Sequence, residues 1–483
     1  MSFQSFGFLA FLAVTAGVCL LPGGRRFRLG FLTAASLVFY IAGAGWRGLA
    51  VLVLGLCVSA GAVRYAERTV SVPAGGPGGP DRRDPRVRLV FGLAAAWHIG
   101  VLAVFKYSGF LTGGLLSVPW APLGLSFFTF QQLWLLHETA HGRFHPEHWD
   151  ELLLYGFFFP TVVSGPILKP QAFFPQLHGE TRPCGQDLAA GLYAIAAGTM
   201  KKVLLADNLG VVVNNGWARL GDLSAPAAWL VILGYTLQLY LDFSGYCDIA
   251  AGAARLLGLR LPVNFNSPYR SLSVGEFWKR WHITLTSFLR ECLYFPLGGS
   301  KKGPARTYLN ILIVFLVSGL WHGAGWTFLV WGGLHGLGQI GERLWGQRRE
   351  RLPVLVRWGL TFAFVNLAWV FFRAPGLGAA GELLSAAVTG GLARPDAWLL
   401  EGLLTRETMA LGMLLPALKP WMNILRLFLL YGVSLAVVLW PRNALERAED
   451  FRPAAWRCAL LALGLSWSIL SFSNVVTFIY SNF

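Results

Sequence analysis

KKGPARTYLNILIVFLVSGLWHGAGWTFLVWGGLHGLGQIGERLWGQRRER, residues 301–351, decides the fold. Lys301, Lys302 and Arg306 lead into one apolar run, Tyr308–Leu320, and Arg343, Arg348, Arg349 and Arg351 follow a second, Thr327–Ile340. Cationic ends stay on the cytoplasmic side of a membrane, so two such ends enclosing two apolar runs predict a hairpin. Each run is only about 20 to 24 Å long as a helix, short for a ~30 Å hydrocarbon layer. The turn GLWHGAGW therefore places His322 deep in the protein, near the far side or in a thinned region.

Working outward, the 483 residues are 55% hydrophobic and 13% charged, with a mean hydropathy of +0.54. Soluble domains carry about a quarter charged residues, so a soluble enzyme is excluded. The net charge of +16 resides mostly in short loops between apolar runs, where it orients spans, and this argues against a nucleic-acid partner. The six cysteines are scattered without a C-x-x-C pair, so neither a disulfide framework nor a zinc knuckle is indicated. The expected architecture is a single all-α polytopic membrane unit over 1–483: N-terminal spans in 1–136, a re-entrant core in 137–345 and further spans in 346–483.

The charges also set a topology. Phe6–Leu21 is followed, not preceded, by arginines (Arg25, Arg26, Arg28), the reverse of a cleaved signal peptide, so it is expected to stay as an anchor with its N-terminus outside. Leu29–Gly45 then goes out and Leu49–Val63 returns to a basic loop, AERTVSVPAGGPGGPDRRDPR, whose Gly and Pro content predicts flexibility. Arg442, Arg447, Arg452 and Arg457 hold one more loop inside before Cys458–Ser471 leads out to the tail VVTFIYSNF. Both termini are thus expected on the extracytoplasmic side of a multi-pass protein.

Candidate chemistry starts from His322. An imidazole exchanges protons near neutral pH, and one flanked by Trp321 and Gly323 at an apolar turn must be hydrogen-bonded or face a polar channel. His335, in WGGLHG, reads as structural. In LDFSGYCDIA, Asp242 and Asp248 suggest a polar-broken helix, because ionisable groups at membrane depth face protein or water. They are expected to orient an imidazole or line a tunnel, with Tyr240, Ser244 and Tyr246 as oxyanion donors. The stretch Ser273–Gly299 alternates Phe277, Trp278, Trp281, Leu285, Phe288 and Leu289 with charge, which predicts an amphipathic helix in the cytoplasmic interface carrying His282. Lys279, Arg280, Lys301 and Lys302 make its mouth electropositive, suited to an anionic donor such as a coenzyme A thioester or an acidic carrier protein.

One motif points elsewhere. His137-Glu138-Thr139-Ala140-His141 is a literal H-E-x-x-H, the spacing that presents two imidazoles to zinc beside a glutamate base, with Asp242 a conceivable third ligand. An intramembrane zinc protease is therefore one alternative, although the surrounding HETAHGRFHPEHWDE reads more simply as a solvated surface loop.

PLGLSFFTFQQLWLL (122–136), FFFPTVVSGPILKPQAFFPQL (157–177), LQLYLDFSGYCDIAAGAARLLGLRLPVNFNSPYRSLSVGEFWKRWHITLTSFLRECLYFPLGG (237–299), NILIVFLVSGLWHGAGWTFLVWGGLHG (310–336), LAWVFFRA (367–374) and the tail FIYSNF resemble the bacterial membrane-bound O-acyltransferase (MBOAT) family, above all its alginate-acetylating branch. Where relatives carry an acidic residue and Arg-Gly after the fifth apolar run, this chain has HETAHG. The resemblance implies a ring of transmembrane helices around a thinned re-entrant core with a central funnel or tunnel. It implies an acyl group, most simply acetyl from acetyl-CoA, passed from the cytoplasm across the inner membrane toward an extracytoplasmic polysaccharide such as alginate. By motif, His322 matches the family's catalytic histidine and His282 its second signature histidine. No permanently bound cofactor and no metal are expected; the implied partners are an SGNH-type acetyltransferase or related polysaccharide-modifying protein, and membrane lipid. Peptidoglycan acetylation and teichoic-acid D-alanylation by the same fold remain alternatives, as does a non-enzymatic export channel. Whether His322 acts as a base or is transiently acylated is left open by the residues.

Overall fold

A computed structural model describes residues 3–69, 84–116, 118–179, 182–395, 397–472 and 479; most of the Gly/Pro-rich loop and of the C-terminal tail lie outside them. The described residues are helical, with short 3-10 and π turns and no strand. Among the described residues, seven helices are long and apolar enough to cross a membrane, including Pro85–Leu111, Ala225–Leu256, Pro304–His322 and Val354–Arg373. Shorter apolar helices, including Phe6–Leu20 and Ala455–Leu470, pack around them.

The hairpin forms, but its arms outrun their apolar cores. Pro304–His322 has 19 residues and Trp326–Trp345 has 20, about 28 and 30 Å at the helical rise. The polar ends are helical too, so helix length does not require a thinned bilayer here. The arms meet backbone to backbone: a Cβ on Gly319 would lie 2.3 Å from the Phe328 oxygen, and one on Gly332 2.3 Å from the Phe315 oxygen. Only glycine permits that approach, which is how apolar helices associate where lipid offers no hydrophobic drive.

Arg25–Thr69 is two helices meeting at Gly45, whose φ of 69° and ψ of 177° suit glycine alone. Arg25 pairs with Glu151, and the Arg64 guanidinium lies 5.6 Å from the Trp149 ring. A straight 45-residue helix would hold those ends ~60 Å apart, so the chain reverses at Gly45. This agrees with the out-and-back path read from the charges. At the opposite end, Tyr40 Oη donates to the Leu123 carbonyl (2.8 Å) and Tyr107 Oη to that of Leu320 (2.8 Å). Phe6 and Phe472 stack edge-on with centroids 5.8 Å apart, so the first helix begins beside the end of the last.

Two expectations are corrected. The Asp242/Asp248 helix is unbroken, running 32 residues from Ala225 to Leu256. The irregularity lies in its neighbour, where the π segment Lys201–Ala206 joins Gly185–Met200 to Asp207–Ala218. That wide turn presents Lys201 Nζ to Asp248 Oδ2 (2.6 Å) and Lys202 Nζ to Asp242 Oδ1 (2.7 Å) and Asp207 Oδ1 (2.5 Å). A helix need not break to house a carboxylate when a packed partner brings the cation. The interfacial helix of 273–299 is likewise replaced by two short helices, Val274–Arg280 and Ile283–Leu289, and a π turn, Arg290–Tyr294. Phe277, Trp278, Trp281 and Phe288 enter the main core, with Trp281 and His282 fully buried. One helix could bury a single stripe, whereas a break at His282 (φ 44°) lets both halves turn inward.

Candidate active site

His322 is the last residue of the hairpin's first helix and is 1% exposed. Trp321, Trp331, Phe372 and His282 surround its ring, with centroids 4.7, 5.1, 5.1 and 6.5 Å away. Phe372 arrives from LAWVFFRA in Val354–Arg373. The terminal carbonyls of a helix lack intrahelical donors. Here they are met by the end of the neighbouring span: Tyr107 takes Leu320, while Lys106 Nζ donates to the Trp321 oxygen and, at 3.5 Å, to that of His322. Trp321 Nε1 in turn donates to the Ser126 carbonyl at 3.5 Å.

His282 is held differently. Asn264 Oδ1 accepts from the Thr284 backbone N–H (3.2 Å), from Thr284 Oγ1 (2.9 Å) and from His282 Nδ1 (3.1 Å). A backbone N–H can only donate, so the atom facing it is the amide oxygen and His282 Nδ1 carries the proton. Nε2 is then the bare nitrogen, and it has no hydrogen-bond partner among the described residues. The Ile167 N–H to Thr284 Oγ1 (3.1 Å) fixes that hydroxyl, and Asn264 Nδ2 donates to Cys247 Sγ (3.4 Å). Asn264, Thr284 and Lys106 carry no site role in the sequence reading. The available signal was a lysine inside an apolar span and an asparagine in VNFNSPY.

The Ala225–Leu256 helix turns another face to the site than expected. Residues four apart share a helical face. Phe243, 4.9 Å from the His282 ring, and Cys247 look toward the histidines. Ser244 Oγ (3.5 Å) and Asp248 look toward Lys201, and Tyr246 stacks on Phe3 with centroids 4.7 Å apart. Tyr240 packs among Phe265, Tyr269 and Trp281, and Asp242 accepts from the Ile479 N–H (3.1 Å) besides Lys202. Of the residues singled out, the structure therefore gathers His322, His282 and Trp321. Asp242 and Asp248 orient no imidazole, and Tyr240, Ser244 and Tyr246 serve other contacts. His335 is held by Trp278, whose Nε1 donates to its Nδ1 at 3.1 Å. Lys279, Lys301 and Lys302 are exposed, while Arg280 pairs with Glu276 at 2.9 Å.

The H-E-x-x-H segment closes the helix Leu125–Ala140. Its fully buried Glu138 receives Arg143 through Nε (2.9 Å) and Nη2 (2.6 Å), and also Gln171. His141 Nδ1 is bonded to the His137 carbonyl at 2.8 Å. Among the described residues no group of three His, Cys, Asp or Glu side chains is placed to hold a metal. Asp242, the suggested third ligand, is bonded to Lys202, and a glutamate committed to an arginine is a poor general base.

A cavity of about 420 Å³ opens beside the turn, lined by Lys106, Leu123, Ser126, Ser164, Gly323 and Phe127 among others. Phe127 lies nearly parallel to the His282 ring at 6.2 Å, so the cavity is separated from the histidine pair by one aromatic layer.

Two buried imidazoles thus converge at a helix end inside a multi-span helical frame. The family description "membrane-bound O-acyltransferase" matches residues 126–377, and the chain belongs to that family. It is an O-acyltransferase, and the zinc protease and export channel are set aside. The chain is similar to the peptidoglycan O-acetyltransferase of Helicobacter pylori, with 36% identity over 344 residues, 63% of this chain and 65% of that protein. It is also similar to a Pseudomonas aeruginosa protein named "Probable alginate O-acetylase AlgI", with 35% identity over 409 residues, 81% of this chain and 75% of that protein. A teichoic acid D-alanyltransferase of Bacillus subtilis is 28% identical over 279 residues, 52% of this chain and 68% of that protein.

Proposed function

We propose that this protein takes an acetyl group from acetyl-CoA in the bacterial cytoplasm and delivers it to a hydroxyl of an extracytoplasmic polysaccharide of the alginate kind, together with an SGNH-type partner. In this reading the basic helix ends face the cytoplasm, as the positive-inside bias requires, and the cavity beside His322 opens outward. The hydroxyl oxygen attacks the thioester carbonyl as His322 takes its proton. The tetrahedral intermediate then expels sulfur, and His322 returns the proton to it, so that coenzyme A leaves as the free thiol. His282, with Nδ1–H pinned by Asn264, offers only a lone pair at Nε2. In its neutral form it is therefore a hydrogen-bond acceptor and not an oxyanion donor. Trp331 supplies a buried indole N–H with no other partner among the described residues, a suitable donor to the oxyanion.

The observation that carries this is the convergence of His322 and His282, from segments forty residues apart, within 6.5 Å at a buried turn. The alginate-type acceptor rests on the wider span shared with the alginate O-acetylases than with the peptidoglycan enzyme. In proteoliposomes charged with acetyl-CoA, the wild-type protein is expected to release free thiol in an acceptor-dependent manner. Release from D-alanyl carrier protein and not from acetyl-CoA would transfer the assignment to D-alanylation. Cysteines placed at positions 64–69 should react only with reagents applied from the cytoplasm; labelling from outside would invert the orientation.

A further inference from the structure

His322 closes the helix Pro304–His322. The last carbonyls of a helix lack intrahelical donors and leave about half a negative charge at that end, which favours an imidazolium there. A general base must instead stand neutral before it takes a proton. The position of His322 and its task are therefore in conflict.

All four terminal carbonyls have a donor. The Gly319 oxygen accepts from the Gly323 N–H (3.2 Å) and the Leu320 oxygen from Tyr107 Oη (2.8 Å). Lys106 Nζ takes the last two, donating to the Trp321 oxygen and, at 3.5 Å, to that of His322. A neutral donor is enough to satisfy a carbonyl, as Tyr107 does one residue earlier; what an ammonium adds is charge. That charge is not cancelled nearby. Lys169, Lys201 and Lys202 pair with Glu291 (2.7 Å), Asp248 (2.6 Å) and Asp242 (2.7 Å), whereas Lys106 has no carboxylate partner among the described residues. Its remaining contacts are neutral: Ser126 Oγ at 3.4 Å and the rings of Tyr107 and Trp321 at 6.0 and 5.7 Å. The titratable groups facing His322 are Lys106, His282 with its ring 6.5 Å away, and His335, which stands behind Trp331 on the second arm of the hairpin. From Val354–Arg373 comes only Phe372, since Arg373 turns to Asn214 (3.1 Å). Among the described residues no acid faces the imidazole.

We propose that Lys106 is a positioning residue for the reaction at His322: its ammonium caps the helix that carries the base and offsets the negative helix end, so that the imidazole stays neutral and ready to accept a proton. The assignment rests on acyl transfer at His322 and adds the group that sets the charge state of its base.

The test measures kcat/KM for thiol release from acetyl-CoA, with an alginate oligosaccharide as acceptor, by the full-length protein in lipid nanodiscs from about pH 5 to 9, the range that brackets imidazole titration. Lys106→Gln keeps a neutral donor but loses the charge. The helix end then favours the imidazolium, so the base is lost earlier on acidification and the acid limb should move upward by about one pH unit, with activity recovering as the pH rises. Lys106→Arg keeps the charge and should keep the wild-type limb. Tyr107→Phe, which removes a neutral donor from the same helix end, should lower the rate at every pH and leave the limb in place. The limb's position does not depend on how much protein is folded. An unmoved limb in Lys106→Gln, or an equal movement in Lys106→Arg or Tyr107→Phe, would overturn the proposal; so would loss of folding in Lys106→Gln and Lys106→Met alike, which would make Lys106 a structural brace. If the wild-type protein releases no thiol, or His322→Ala releases as much, the acyl-transfer reading fails and takes the proposal with it. His322-dependent release with an unmoved limb removes the role of Lys106 alone.

Discussion

The protein keeps two sets of ionisable side chains in its helical interior and treats them in opposite ways. Around the Ala225–Leu256 helix, Asp248 pairs with Lys201, and Asp242 and Asp207 share Lys202, at 2.5–2.7 Å. Around the hairpin turn, His322 and His282 are enclosed by aromatic rings, and His282 Nε2 retains an unused lone pair. Charge engaged in ion pairs braces helices, whereas hydrogen-bonding capacity held in reserve is what a substrate can use. An ionisable residue at membrane depth is thus a functional candidate only until its partner is known.

If that contrast is right, the two regions should fail differently. The largest effect belongs to the ion network. Lys202→Met strands Asp242 and Asp207 and should cost about 3–5 kcal/mol, the penalty for an unpaired buried charge. Thermal unfolding in detergent and the folded yield from membranes would show it, with activity per folded molecule little changed. Pairing it with Asp242→Asn should recover part of the loss; a double variant no better than the single would mean that the network does not act as a unit.

A smaller effect, on activity alone, is expected around His282. Asn264→Leu frees the imidazole to change tautomer and should lower turnover ~10–100-fold, as loss of a supporting hydrogen bond does at other sites. Asn264→Asp puts a carboxylate against Nδ1 and favours the imidazolium. Activity that needs neutral His282 is then lost at a higher pH on acidification, so the acid limb of the pH–rate profile moves upward. A purely packing role for Asn264 would lower activity in both variants and leave that limb in place.

The smallest effect is at the surface. Lys279, Lys301 and Lys302 are exposed, and changing all three to Gln should raise the donor KM only a few-fold, roughly the strength of screened surface charges, and flatten its salt dependence at constant kcat. An unchanged KM at low salt would reduce them to topology signals.

Much of this was legible in the residues. The hairpin, the reversal at Gly45 and the candidacy of His322 follow from apolar runs bounded by arginine and lysine, a pattern local to each segment. What escaped depends on partners far away in the chain. Asp242 and Asp248 suggested a broken helix because nothing near them announces Lys201 and Lys202, which reach them only through the π segment. Ser273–Gly299 looked amphipathic because six apolar residues approximate one stripe, and the left-handed His282 that divides them carries no glycine or proline signal. Asn264 gains its meaning only when the chain brings it back against Thr284 and His282. The H-E-x-x-H spacing was real, but Arg143 and Gln171 had already engaged its glutamate.

The central claim is that the hairpin turn supplies chemistry and not support. It is tested most directly by His322→Ala, with folded protein and acetyl-CoA-derived thiol release measured on one preparation beside Lys202→Met. The expected result is a normal yield and melting temperature with turnover reduced by about 10²–10⁴, the span of general acid–base catalysis. Lost folding with activity per folded molecule preserved would contradict it.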